Sequence, residues 1–154
     1  MSWLQKAVVF LLTFMSYAAM HALREGWSYS KSATEKEFGI DATFMGVVDA
    51  LYLVFYTVGM VVLGSLMHRV SLRFYVIGGL AMASIAYTLW VVIYALTDFY
   101  HPALMTVLMC VNGFFQATGW PGLMAIFSLW FAEHKKGLLM GLWALNSNVG
   151  NIIA

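Results

Sequence analysis

The sequence predicts an all-α membrane protein of five transmembrane helices, the last of them truncated. Three observations carry this reading. Apolar residues make up 62% of the chain and the mean hydropathy is +0.82, whereas a soluble domain of 154 residues needs more polar surface. Only eight Lys and Arg and seven Asp and Glu are present. Uncharged stretches run Ala7 to Leu23, Ala50 to Met67, Phe74 to Leu96, Ala103 to Ala132 and Gly137 to Ala154, each near or above the roughly 20 residues that span a bilayer.

The first stretch has the length of a signal peptide but lacks a small-residue cleavage site, and a further polar turn follows it. The fifth stops at Asn151 to Ala154 with no polar flank, so it reads as a span cut off within the membrane, as in a fragment. Between the spans, Lys6, Arg69, Arg73, Lys135 and Lys136 fall on one side. The other side holds Lys31 and Lys36 among Glu25, Glu35, Glu37 and Asp41, and a short loop from Thr97 to His101 without Lys or Arg. The positive-inside rule then puts the amino terminus and the 68–73 and 133–136 loops in the cytoplasm, and the 25–42 and 97–101 loops outside.

Polar residues inside the spans are the candidates for function, because lipid tolerates them only when partnered or wet. Tyr17, His21 and Arg24 share one face of the first helix. Two placements are open to Arg24. It snorkels to the outer interface or pairs with Glu25 or Asp49; or the helix continues toward Ser30 and holds the guanidinium in a water-filled cavity, where its planar fork grips phosphate in bidentate fashion. On the second span, Asp49, Tyr52 and Tyr56 form one polar stripe, with Asp49 either a proton carrier or a structural counter-ion and the tyrosines lining or merely packing. Gly59 and Gly64 offer close helix approach. On the fourth, Asn112, Gln116 and Trp120 recur at every fourth position, while Gly113 and Gly119 admit a neighbouring backbone. Pro121 frees the carbonyl four residues earlier and predicts a bend. These amides serve either as interhelical glue or as a cavity lining, as do Trp143, Asn146, Ser147 and Gly150 on the fifth span.

Other classes are excluded. No basic block or nucleic-acid fingerprint is present. Cys110 is alone, so no intrachain disulfide forms. His21, His68, His101 and His134 stand apart without metal-ligand spacing, and no nucleophile motif such as G-x-S-x-G occurs, so neither an enzyme nor a metal or cofactor site is expected.

The segment NGFFQATGWPG, followed by LWFAEHKKGLLMGLWALNSNVGN, resembles the organophosphate:phosphate antiporters of the major facilitator superfamily, in particular the eukaryotic sugar-phosphate exchangers. The likeness includes N-G-x-x-Q-x-x-G-W-P at Asn112 to Pro121, the pair Trp130 and Phe131, the pair Lys136 and Gly137, and the ending from Trp143 to Asn151. The stretch DALYLVFYTVGMVVLGSLMHRVSLR, Asp49 to Arg73, is similar to the exchangers' second helix and following loop.

This resemblance implies a partial amino-terminal transmembrane domain over residues 1–154, most of one six-helix half, whose missing carboxy-terminal half or a second chain is needed for transport. It implies alternating-access exchange of an organophosphate, a sugar phosphate or glycerol phosphate, for inorganic phosphate. Arg24 matches the family's phosphate-gripping arginine, with Tyr17 and His21 facing the same pocket and Tyr56, Trp120, Trp143 and Asn146 around it; Asp49, Asn112, Gln116, Gly119 and Pro121 serve the cavity or helix packing. The implied residence is multi-pass, in the endoplasmic reticulum, another endomembrane or the plasma membrane. Three positions depart from the family pattern. Glu25 stands where a lysine commonly follows the arginine; the loop motif Gly64, His68, Arg69 and Arg73 has His68 in place of an aspartate; and Asn146, Ser147 and Asn148 occupy the neighbourhood of a family histidine. The alternative reading is a truncated, nonfunctional or structural and interaction fragment of the membrane.

Overall fold

The computed structural model describes residues 2–97, 101–131 and 133–154, with the side chains of 133–136 outside that description. The expectations attached to the 98–100 part of the short loop and to the side chains of His134, Lys135 and Lys136 therefore lie outside the described residues. Among the described residues seven helices follow in order: α1 Trp3–Phe38, α2 Ala42–Leu66, α3 Leu72–Thr97, α4 Pro102–Gln116, α5 Gly119–Trp130, α6 Glu133–Trp143 and α7 Asn146–Ile153. Among the described residues, α1, α2 and α3 are each long and apolar enough to cross a membrane.

Helix α1 differs from expectation. It runs past Leu23, and past the Ser30 toward which one of the two placements of Arg24 continues it, for 36 residues, about 54 Å at the standard rise and well beyond a hydrocarbon core of about 30 Å. The segment read as a 25–42 loop is helical as far as Phe38, so the connection to α2 is only 39–41. The charges of that segment report water, not loss of helix; the stretch contains no proline. The stop comes at Gly39, which takes a left-handed conformation with φ 61°, and the Ile40 N–H reaches back to the Glu35 carbonyl at 3.1 Å. This is the closure for which glycine is suited at a helix end.

The fourth and fifth apolar stretches are each two helices in series. Pro121 has no N–H to offer the Ala117 carbonyl, and the ladder breaks there: the Thr118 N–H bonds Phe115 O at 3.2 Å, a three-residue step in place of four. Ala117 and Thr118 stay right-handed. Between α6 and α7 the Asn146 side-chain amide donates to the Trp143 carbonyl, and the Leu145 N–H bonds Leu142 O at 3.3 Å. A side chain that competes for a backbone carbonyl in this way favours a turn over a continuing helix.

Packing centres on the α4–α5 rod. Helix α4 lies against α2 and α3, while α5 lies against α1 and α3, and α7 lies against α1. Two apolar clusters result. One joins Trp27, Met45, Val48, Tyr52, Trp90, Met105 and Met109; the other joins Tyr75, Val76, Leu123, Phe127, Phe131 and Trp143, with Phe10, Phe14 and Tyr17 against it. Leu11, Val61, Phe74, Leu129 and Ile152 point outward, as expected of a surface whose solvent is lipid.

Small residues set the spacing. A Cβ built on Gly113 would lie 2.6 Å from the Tyr52 carbonyl oxygen, and one on Gly122 would lie 2.5 Å from Val76 Cγ2. Gly59 likewise abuts the Phe114 backbone, whereas Gly64 faces open space and has no such role. Gly113→Ala is therefore expected to destabilise the protein by about 1–3 kcal/mol through overpacking of α2 on α4. Gly78→Ala, where nothing lies within 4 Å, should be neutral or slightly stabilising. Thermal unfolding of both variants in detergent checks the pair.

Candidate functional site

Helix register gathers a set of polar side chains, some of which also pack in the two apolar clusters. On α1, residues 17, 21 and 24 recur at intervals of four and three, which stacks them on one face. The Tyr17 and His21 rings meet edge to face at 4.9 Å. The Arg24 guanidinium carbon lies 5.9 Å from the Tyr52 ring centre, inside the range for attraction between a cation and an aromatic face. Tyr52 in turn stacks with Tyr56 at 6.4 Å. These side chains, with Met20 and Gln116, line a pocket of about 30 Å³, room for water-sized occupants.

The depth of this set follows from its partners. The Tyr52 hydroxyl donates to Gln116 Oε1 at 2.9 Å, the Gln116 amide reaches Asn112 Oδ1 at 3.4 Å, and the Asn112 amide donates to the Ala83 carbonyl at 2.7 Å. Three helices are thereby tied by one chain of hydrogen bonds. Gln116 is the last residue of α4, midway along the α4–α5 rod, so Arg24 sits level with the middle of the bundle. Asn112 is 2% exposed; its amide N–H is used between helices, and the residue also borders a second pocket beside Arg24. Gln116 likewise bonds between helices and lines the first pocket.

Asp49 is engaged elsewhere. Its carboxylate accepts the Trp27 indole N–H at 3.0 Å and pairs with the Lys31 ammonium. Among the described residues no carboxylate pairs with Arg24. Glu25, one position along the helix, faces a different direction, and Asp49 acts as counter-ion to Lys31. Arg24 is exposed on the open side of the bundle, between two pockets that it helps to line.

The tryptophans divide. Trp120 is 41% exposed, with its ring 5.7 Å from Tyr17 and 5.8 Å from Trp143. Trp143 is 0% exposed; it stacks on Tyr17 at 5.3 Å and donates its indole N–H to Thr13 Oγ1 at 3.2 Å. It therefore shapes the pocket from behind Tyr17. Asn146 is buried with its amide spent on the Trp143 carbonyl. Gly119 seats Met20, and Gly150 admits the α1 backbone at Ala18. Gly64, His68, Arg69 and Arg73 lie at or near the α2–α3 turn, with the latter three exposed and apart from this pocket.

Met20 and Trp27 complete the two pockets without any sequence signal beyond spacing that singled them out, and Tyr52, one of the two stripe tyrosines for which lining and packing were both open, proves to do both. Met20 and Trp27 fall within one turn of Arg24 on its own face, and Tyr52 lies four residues before Tyr56.

Residues 4–154 match the Major Facilitator Superfamily. Among curated proteins, the chain is similar to sugar phosphate exchanger 3 of Bos taurus, at 30% identity over 95% of this chain and 35% of that protein. It is also similar to putative glycerol-3-phosphate transporter 2 of Arabidopsis thaliana, at 36% identity over 96% of this chain and 31% of that protein. The chain thus spans about a third of the length of the curated relatives it matches. No solved structure matches it.

Proposed function

The chain belongs to the Major Facilitator Superfamily, and from that premise we propose that it forms part of a transporter exchanging an organophosphate for inorganic phosphate by alternating access. The organophosphate is a sugar phosphate or glycerol phosphate, the substrates in the names of its relatives. Residues 1–154 act as a partial amino-terminal domain, and further chain or a partner completes the path, a reading supported by the share of those relatives that the chain covers. The protein is multi-pass and integral to the membrane.

One observation carries the reading: an Arg24 guanidinium without a carboxylate partner among the described residues, held at mid-bundle height against Tyr52 and beside Tyr17, His21 and Tyr56. A phosphate dianion entering lipid unaided meets a prohibitive desolvation cost. Arg24 and the tyrosine hydroxyls replace its water, and the aromatic faces bound the cavity. Exchange follows because the empty carrier must bury a lone positive charge as it rocks between states, whereas the occupied one buries a neutralised pair. Substrate binding thereby lowers the barrier to closure, and uncoupled return is slow.

The test is counterflow of radiolabelled phosphate into proteoliposomes containing the complete protein. Preloading with glycerol phosphate or a hexose phosphate is expected to raise phosphate uptake severalfold over empty vesicles. Equal uptake into loaded and empty vesicles would overturn the exchange reading.

A further inference from the structure

A second pocket, of about 140 Å³, opens on the other side of Arg24 toward the Phe38 end of α1, lined among others by Trp27, Ser28, Lys31, Asp49 and Tyr52. Arg24, Trp27 and Lys31 are spaced by three and four residues, so they occupy one face of α1. Arg24 and Lys31 are about 10.5 Å apart along the axis, too far for one phosphate to be held fully by both at once but within reach of two long side chains passing it on. At the Lys31 end the donors are already arranged around an anion. That anion is the chain's own Asp49, which takes the Trp27 indole N–H on one carboxylate oxygen and the Lys31 ammonium on the other. The ammonium also lies 6.0 Å from the Trp27 ring centre, on its face. Neither partner is sealed away, with the Lys31 side chain 23% and the Asp49 side chain 39% exposed.

We propose that Lys31 and Trp27 form a second anion station, occupied at rest by the Asp49 carboxylate, from which a phosphate group displaces Asp49 on its way to Arg24. The inference rests on the exchange reading above and adds to it a specific route. Two charges favour the displacement. A phosphate dianion carries more negative charge than the carboxylate it replaces and has more acceptor oxygens for the same two donors. The displaced Asp49 lies about two turns into α2 with its side chain 39% exposed, so water can solvate it. With Asp49 in place, the pair screens Lys31 and leaves Arg24 as the stronger attraction; an anion therefore passes through the station instead of stopping there.

The experiment measures the KM for inorganic phosphate in proteoliposomes of the complete protein for wild type, Lys31→Met, Asp49→Asn and the double variant. Freeing Lys31 by Asp49→Asn is expected to lower the KM at least about threefold, and Lys31→Met to raise it by at least as much, with the double variant keeping the high KM of Lys31→Met. A KM raised in both single variants and restored in the double would make the pair a structural strap and overturn the proposal. If Lys31→Met fails to fold because Asp49 is left unpaired, the double variant and Lys31→Arg carry the test. Trp27 supplies an independent readout. Inorganic phosphate is expected to change the protein's tryptophan fluorescence through the Trp27 indole, so the change should shrink in Trp27→Phe and in Lys31→Met. A phosphate response undiminished in both overturns the station. Wild-type protein that takes up no phosphate counts against the exchange reading itself, while the fluorescence titration still reports on the station.

Discussion

Replacing Arg24 by alanine is expected to reduce phosphate uptake by the complete protein in proteoliposomes at least about a hundredfold, because truncating one partner of a desolvated charge pair costs about 3–5 kcal/mol. Arg24→Lys should fail nearly as badly. Lysine keeps the charge but has no planar fork for two phosphate oxygens, and it lacks the flat guanidinium whose carbon lies 5.9 Å from the Tyr52 ring centre. Both variants should still fold, since Arg24 is exposed and no carboxylate among the described residues depends on it. That separates a transport defect from a folding defect. Tyr52→Phe provides the internal comparison: the ring beneath Arg24 stays, but the hydroxyl that donates to Gln116 is lost, so uptake should fall far less than for Arg24→Ala. Unchanged uptake in Arg24→Ala would remove this residue from the mechanism.

The apolar spans could be read from the chain because lipid imposes long uncharged runs, and the bend near Pro121 because proline lacks an N–H wherever it is placed; the turn at Asn146 that divides α6 from α7 could not. The face shared by Tyr17, His21 and Arg24 was equally legible, since it depends only on the period of one helix. What was not legible is whatever depends on two helices at once. That Asp49 pairs with Lys31, and not with Arg24, is decided by how α1 is rotated and slid against α2, and the charges of 25–42 concealed that α1 continues far enough to bring Lys31 to it. The burial of Trp143 was hidden for another reason. Lipid tails and a protein core are both apolar, so an indole on a membrane helix gives the same sequence signal whether it faces a cavity, a neighbour or the bilayer.

That burial yields the second large effect. Trp143→Ala is expected to destabilise the protein by about 3 kcal/mol, at the lower end of the range for truncating a buried aromatic side chain because the alternative surroundings are lipid and not water. The loss is concentrated at one place. The indole touches Tyr17, Trp120 and Phe127 and donates its N–H to the Thr13 hydroxyl; the backbone carbonyl of residue 143, on which the Asn146 amide turns the chain from α6 into α7, stays in either variant. Removing it opens a void between α1, α5 and α6 that rigid rings cannot collapse to fill. Trp143→Phe keeps most of the stack and forfeits one hydrogen bond, so about 1 kcal/mol is expected. Thermal unfolding in detergent ranks the two. The same substitutions separate support from recognition, because Tyr17 reaches the pocket only while something flat backs it. Trp143→Phe should leave phosphate uptake largely intact, whereas Trp143→Ala should impair it even at temperatures where the protein remains folded. An alanine variant as stable and as active as wild type would show that Tyr17 holds its position without the indole behind it.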